Sequence, residues 1–332
     1  MLKSSLLNQY YKLKEANAPR DFPLILADVQ HKMIVDAFRA FPSFTNLWTF
    51  ETTLTDFKTH NRSWLSEFGD LQKKAPGGPY QAGKLTDRNY GVKAETYGLT
   101  YSLLRETIIN DDRDAFKRIP TLMGRAAKRT LAKEVVAVLE RNEVCYDAAA
   151  LFSSAHANTG LTNLTADSTG VTTLQTGTTA IATATDPDSG EIMGLMAKYL
   201  VVSPTVAEIA KWLISATELI GSTSSLRNNP LRNPALTKNQ QPLEVVVEPM
   251  LNNNFPNRFY LFADPVDAPA IETGFLDGKK EPDLLMKSPE VQMIAGGGSD
   301  PWGYDYDDID YKVRWDFDAK AAMYQAVYKG GN

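Results

Sequence analysis

Between Asp112 and Asn142 the chain carries a single apolar stripe, and no other segment restricts its fold so tightly. Phe116, Ile119, Met123, Ala126 or Ala127, Thr130 or Leu131, Val135, Val138 and Leu139 recur at the period of a helix buried on one face. Asp111 and Asp112 stand before it and Arg141 closes it, so charge complements the helix dipole at both ends. At 1.5 Å per residue this rod is about 45 Å long. Pro120 lies inside the pattern and removes one backbone donor, which predicts a bend or a restart there. Arg125, Lys128, Arg129 and Lys133 fall on the solvent side.

Upstream, residues 1–20 are polar and rich in Tyr and Lys, and read as an arm. Ile25, Leu26, Val29, Met33, Ile34, Ala37 and Phe38 are spaced as a short helix that Pro42 stops. Aromatic and Thr alternation over 44–57 predicts a strand, as does the alternation over 89–101. The text between them is polar and holds the turn signal Ala75-Pro76-Gly77-Gly78-Pro79. Two strands flanking a long polar connection describe a projecting β-hairpin, which buries little of its own surface and needs something to lie on.

Downstream, residues 159–190 turn Thr-, Ala- and Gly-rich, with a short helix predicted over 172–184 and a turn at Asp186-Pro187-Asp188-Ser189-Gly190. Residues 199–203 read as a buried strand, and Pro204 opens a helix through Ile214. Residues 222–242 are Ser/Asn/Pro-rich and read as an exposed loop, followed by strands at 243–248 and 258–263. The chain closes with alternating segments at 311–317 and 323–328.

Composition removes several functional classes. With 35 basic and 40 acidic residues the net charge is −5, which argues against a basic groove built to grip nucleic acid tightly. One cysteine, Cys145, leaves no intrachain disulfide framework and no Cys-based zinc site. No apolar run reaches the roughly 18 residues of a membrane span, and the first residues lack a signal-peptide core.

No reaction centre emerges either. His31, His60 and His156 have no metal-ligand spacing. Cys145 and His156 lie eleven residues apart without an oxyanion-hole signature, so Cys145 reads as a buried structural thiol. Gly296-Gly297-Gly298 lacks the Lys-Ser/Thr of a phosphate loop. Asp300, Asp305, Asp307, Asp308 and Asp310 form an acidic run without the Gly and terminal Glu of a calcium loop. No catalytic, cofactor or metal residue is expected.

Five segments carry a resemblance. Trp64-Leu65-Ser66-Glu67-Phe68 is similar to a Trp-x-Gly-Asp/Glu-Phe loop segment, and Arg105 to Asp112 to a helix entry. Met123-Gly124-Arg125-Ala126-Ala127 lies within the helix, and residues 151–158 look like a Leu-Phe-x-x-x-His-x-Asn block. Tyr311-Lys312-Val313-Arg314-Trp315-Asp316-Phe317 is similar to a closing Val-Arg-x-Asp-Phe strand. In this order, over about residues 44–330, they resemble the major capsid proteins of tailed bacteriophages with the HK97-type fold, within them the Mu-like gpT major head subunit group.

The resemblance implies an α+β fold. Its parts would be an N-terminal arm and short helix at 1–44, an extended β-hairpin loop at 45–97, and a peripheral domain with a spine helix at 98–145 and 286–320. An axial domain would take 146–285 and 321–332. It implies a structural protein, not an enzyme, that self-assembles into pentamers and hexamers of an icosahedral shell around double-stranded DNA. Partners would be a scaffolding protein, a maturation protease, a portal and a decoration protein. Assembly would take place in the host bacterial cytoplasm, with no membrane and no cofactor. Since some relatives carry a protease or scaffolding region at the N-terminus, which this chain lacks, maturation factors would be separate proteins. Trp64, Phe68, Lys73, Lys74 and Lys84 in the loop, with Arg125, Arg129, Asp305 and Asp307, are the residues expected to meet neighbouring subunits. The alternatives are an encapsulin-like compartment and a soluble hydrolase using Cys145 or the Asp300–Asp310 cluster.

Overall fold

The computed structural model describes residues 22–74, 76–78, 80, 82, 83, 85–104, 106, 118–215, 218, 219, 231, 232, 243–252, 254–287, 291–293, 298–300 and 308–332. In chain order the described elements begin with α1 (Phe22–Arg39), α2 (Thr45–Trp48), β1 (Phe50–Leu54), β2 (His60–Leu65), β3 (Asp87–Val92) and β4 (Glu95–Leu104). There follow α3 (Arg118–Arg141), α4 (Ser168–Ala182), β5 (Ala197–Val202), α5 (Ala207–Ser215), β6 (Glu218–Leu219), β7 (Leu231–Arg232) and β8 (Glu244–Val247). The last are β9 (Phe259–Ala263), β10 (Ile271–Leu276), β11 (Asp283–Met286), β12 (Val291–Met293), β13 (Gly298–Asp300), β14 (Asp308–Ala321) and β15 (Val327–Gly330).

These elements divide into two units. One comprises Met1–Phe41, Thr96–Arg129 and Lys279–Asp316; the other comprises Pro42–Glu95, Thr130–Gly278 and Phe317–Asn332. Helix α3 and strand β14 each contribute residues to both.

In the first unit α1 crosses α3 at Gly124, where an added Cβ would lie 2.3 Å from the Ile34 carbonyl oxygen. Only glycine admits so close a backbone approach. Beside that crossing Ile34, Met123 and Val313 form a core that Tyr101, Ile119 and Leu284 extend. Phe38 meets the edge of Trp315 at 5.1 Å, and the Trp315 indole N–H donates to the Lys279 carbonyl at 2.9 Å. β11 and β4 both pair with β14, and Tyr101 stacks on Tyr311 at 5.2 Å. Burial pushes the Tyr311 phenol up to about 12.

In the second unit β9 lies between β15 and β5, antiparallel to both, and β5 runs parallel to β8. β9 is buried at every residue, the pattern of a strand covered on both faces. A second set of strands joins β1, parallel to β10, and β10, antiparallel to Phe317–Ala321 of β14. α4 opens on Asp167, whose carboxylate accepts the N–H groups of Thr169 at 2.9 Å and Gly170 at 3.1 Å. α3 ends at Asn142, which takes a left-handed φ of 52° while its side-chain amide bonds both backbone groups of Phe152.

Several expectations need correction. Residues 44–57 are not one strand: α2 occupies 45–48 before β1, because Trp48 is buried against Phe262 at 4.8 Å and the Thr49 hydroxyl bonds the Thr45 carbonyl at 2.8 Å. The projecting hairpin pairs β2 with β3, residues 60–65 with 87–92. The alternating text over 89–101 breaks at Lys93-Ala94, where the chain leaves the hairpin and enters β4. α4 starts four residues earlier than predicted, at its Asp167 cap. β14 is twice as long as the predicted 311–317 strand, and of 323–328 only the end joins β15, after a 3-10 turn at Tyr324–Ala326. β10 and β11 were not anticipated. Pro120 is the third residue of the described part of α3, and the turn before it lies outside the described residues. The predicted arm at 1–20, the helix start at 112–117 and most of the 222–242 loop lie outside the described residues.

Candidate functional site

The hairpin of β2 and β3 is the element whose side chains are most specifically placed. Arg62 pairs across the ladder with Tyr90 and Trp64 with Arg88, so all four share one face. That face is half-buried, while the alternate residues of both strands are largely exposed. The inward face is held at two points.

The first is Glu272 on β10, 1% exposed. Its carboxylate accepts from the Thr52 hydroxyl at 2.5 Å, from Arg62 Nε at 2.9 Å and from the Tyr90 hydroxyl. Arg62 also donates through Nη2 to the Thr53 carbonyl at 3.2 Å. A buried carboxylate is tolerated only when its lone pairs are filled, and the hairpin supplies two of these three donors. Burial, then the bond to Glu272, raises the Tyr90 phenol above its ordinary range. Leu54, Val92 and Ala94 pack beside this cluster and close the hairpin root.

The second holding point is Arg88. Its guanidinium lies 2.9 Å from Asp186 Oδ1, donates through Nε to Asp188 at 2.9 Å and through Nη1 to the Tyr146 hydroxyl at 3.2 Å. Asp186 is itself buried and also accepts the Glu67 N–H at 3.2 Å and the Ser189 hydroxyl at 3.1 Å. Trp64 meets the edge of Tyr146 at 4.7 Å, and Tyr146 stacks on Tyr324. Tyr324 in turn stacks on His156 at 3.6 Å. This row of rings packs the hairpin root against the rest of the second unit.

Beyond these anchors the connection over 66–86 changes character. Phe68 is 61% exposed, Leu71 100% and Tyr80 81%, and Leu65 is largely exposed as well. Lys74 Nζ lies 4.4 Å over the Tyr80 ring. A connection whose large apolar side chains face outward, on a root held by two buried carboxylates, is built to cover a surface other than its own.

Of the predicted contact residues, Phe68, Lys73 and Lys74 are exposed on this connection, and Lys84 lies outside the described residues. Trp64 is different: its ring is engaged by Tyr90 and Tyr146 of its own chain. Arg125 and Arg129 are exposed on α3, while Asp305 and Asp307 lie outside the described residues. Sequence reading missed Thr52, Arg62, Arg88, Tyr90, Asp186 and Glu272. The alternation of cationic and aromatic residues along 62–64 and 88–90 was the available signal, but their carboxylate partners lie about 100 to 210 positions away.

The residues considered for chemistry do other things. Burial, with Asp147 and Glu143 adding, pushes the Cys145 thiol up to about 12, so it is not a thiolate near neutrality. His156 spends Nε2 on Asp147 at 2.7 Å and Nδ1 on the Leu151 carbonyl at 3.2 Å, which makes it a brace for the 147–158 loop. Among the described residues no group of three or more His, Cys, Asp or Glu could hold a metal ion. No described helix is long and apolar enough to cross a membrane.

Comparison with known proteins follows this geometry. A family model described as phage capsid protein matches residues 89–330. No curated protein matches the chain in sequence. A solved structure from Gordonia phage Cozz superposes with TM-score 0.54 at 14% identity, covering 85% of this chain and 84% of its own. One from Microbacterium phage Oxtober96 gives TM-score 0.53 at 11% identity, covering 87% and 91%. The capsid structure of Cyanophage P-SCSP1u gives 0.50 at 11% identity, covering 87% and 88%. At such identities the likeness is one of fold.

Proposed function

The chain belongs to the phage capsid protein family and has the α+β HK97-type fold, and on that premise we infer that it is the major head subunit of a tailed phage or prophage. Its copies form the icosahedral shell of the virion. The finer reading is that they assemble as pentamers and hexamers around double-stranded DNA, within the Mu-like gpT group, in the host cytoplasm. Scaffolding protein, maturation protease and portal are then separate partners. The arm at 1–44, the loop at 45–97, the peripheral parts at 98–145 and 286–320 and the axial parts at 146–285 and 321–332 are the functional divisions of this reading.

The observation that carries it is the hairpin. Its root is immobilised by Glu272 and by Arg88 with Asp186, yet its connection exposes Phe68, Leu71 and Tyr80 to no partner of the kind a core provides. Such a surface suits a neighbouring subunit, and symmetry repeats a modest contact many times over. Phe68, Lys73 and Lys74 are the side chains we place against that neighbour, with Arg125 and Arg129 exposed elsewhere on the subunit.

Negative-stain electron microscopy of the purified chain, run beside light scattering, tests the reading. Shells, polyheads or rings of five or six are expected. A monodisperse monomer at high concentration refutes it. Particles that enclose protein cargo instead of DNA would place the chain with compartment shells.

A further inference from the structure

Helix α3 contains a feature that the shell reading leaves unexplained. Arg118, Leu122, Arg125 and Arg129 follow at spacings of four, three and four, so they form one stripe, and all four are exposed. The opposite side of the helix carries Met123 and the Gly124 crossing with α1. No Asp or Glu occurs anywhere between Arg118 and Arg129, in a chain with 40 acidic residues. Among the described residues none of the three arginines has an ion-pair partner. Some exposed cations elsewhere are paired, Arg39 at 2.6 Å from Glu281, Lys211 at 3.1 Å from Glu208 and Lys279 at 2.9 Å from Asp283, but those three arginines stand together on one helix face without an acidic residue among them. Lys128, off the stripe, rests 5.1 Å over the Phe38 ring.

The stripe does not serve the helix. Arg125 and Arg129 are a like-charge pair at i and i+4, which is locally destabilising. Three unpaired guanidinium groups therefore point to an anionic partner outside the described chain. Resting on the reading of a shell around DNA, we propose that this stripe is where the subunit touches the packaged duplex, through phosphates alone. From Arg118 to Arg129 the stripe rises about 16 Å, over which one strand of B-DNA presents about five phosphates. Guanidinium forks suit phosphate oxygens. A docked acidic helix would need apolar anchors along the row, and Leu122 is the single one present. Three contacts per subunit are weak and independent of base sequence, while the repeated shell multiplies them. The net charge of −5 keeps the rest of the subunit from adhering.

The test uses the full-length chain held below its assembly concentration, a fluorescent 30-base-pair duplex and anisotropy across a salt series. Three phosphate contacts predict that log K falls against log salt with a slope of about −2.7, roughly 40-fold between 50 and 200 mM. The variant R118Q/R125Q/R129Q is expected to lose that slope, the variant with three lysines to keep it, and both to form shells as the parent does. Two unrelated duplex sequences should bind alike. No binding by the parent, or an unchanged slope in the glutamine variant, overturns the proposal. So does a glutamine variant that folds by circular dichroism but no longer forms shells, since the stripe would then hold a neighbouring copy. A parent chain that forms no shell at all removes the underlying reading instead, which the microscopy identifies separately.

Discussion

Replacing Glu272 with glutamine isolates what holds the hairpin down. Three donors converge on the carboxylate: the Thr52 hydroxyl, Arg62 Nε and the Tyr90 hydroxyl. Glutamine keeps the shape and one acceptor oxygen but converts the other position into a donor. One oxygen can satisfy two of the three groups, and the third then faces an N–H. The charge-assisted bond to Arg62 is lost as well. Bonds to charged groups contribute about 1.5–3 kcal/mol, and removing one member of a buried ion pair costs about 3–5 kcal/mol. The Arg62 side chain is 34% exposed and water recovers part of its hydration, so the lower end applies, about 2–3 kcal/mol. This energy acts on the docking of the hairpin, so its released population rises roughly 30- to 150-fold. Limited trypsin digestion reads that population, provided cleavage is slower than reclosing. Cutting at Arg62 and Arg88 should accelerate by that factor, while cutting at Lys73 and Lys74, already exposed, should not change. A double-mutant cycle with Arg62→Met should show coupling of about 1–2 kcal/mol. Cleavage at Arg62 and Arg88 within twofold of the parent would show that the carboxylate does not hold the hairpin.

Gly124→Ala places a methyl group against the Ile34 carbonyl and should cost about 1–3 kcal/mol in urea denaturation; an unchanged midpoint would mean that α1 does not cross there as described. Burial, with the Glu95 charge adding, raises the Asp318 carboxyl to about 6, against Lys320 and the Lys93 and Ala319 N–H groups. The folded state thus holds a proton that the unfolded chain releases near 4, so this group's contribution is present below about pH 4 and is lost as pH rises through 6. Asp318→Asn should flatten stability between pH 4 and 6 and gain about 1 kcal/mol at pH 7.5, after solvent screening of a partly exposed group; a parental pH profile would refute it. Cys145, with its thiol near 12, should react with a disulfide reagent at pH 8 more than roughly 100-fold slower in the folded chain than in urea, and fast labelling of the folded chain would contradict its burial.

Helical elements were legible wherever one face repeats. α1 and the described part of α3 follow their apolar spacing, and Pro204 marks the approach to α5, because a helix face is written within a few turns of chain. Strands were legible where both faces are apolar, as in β5 and β9. The reading failed at 44–57, where the Thr and aromatic alternation of a strand is cut by a helical turn that seats Trp48 on Phe262. It failed again at β10, whose Glu272-Thr273-Gly274 lacks apolar alternation because Glu272 is buried by ion pairing and Gly274 makes room for Leu54.

What the sequence determined by itself was therefore the class of object: a long one-faced helix, a hairpin with a long connection and strand-rich remaining text. Which residues hold the hairpin was decided only by the tertiary structure. Arg62 finds Glu272 across 210 positions and Arg88 finds Asp188 across 100, and such pairings carry no local period. A period records which face of an element is buried. The identity of what buries it depends on a chain path that brings distant carboxylates within 3 Å of a guanidinium.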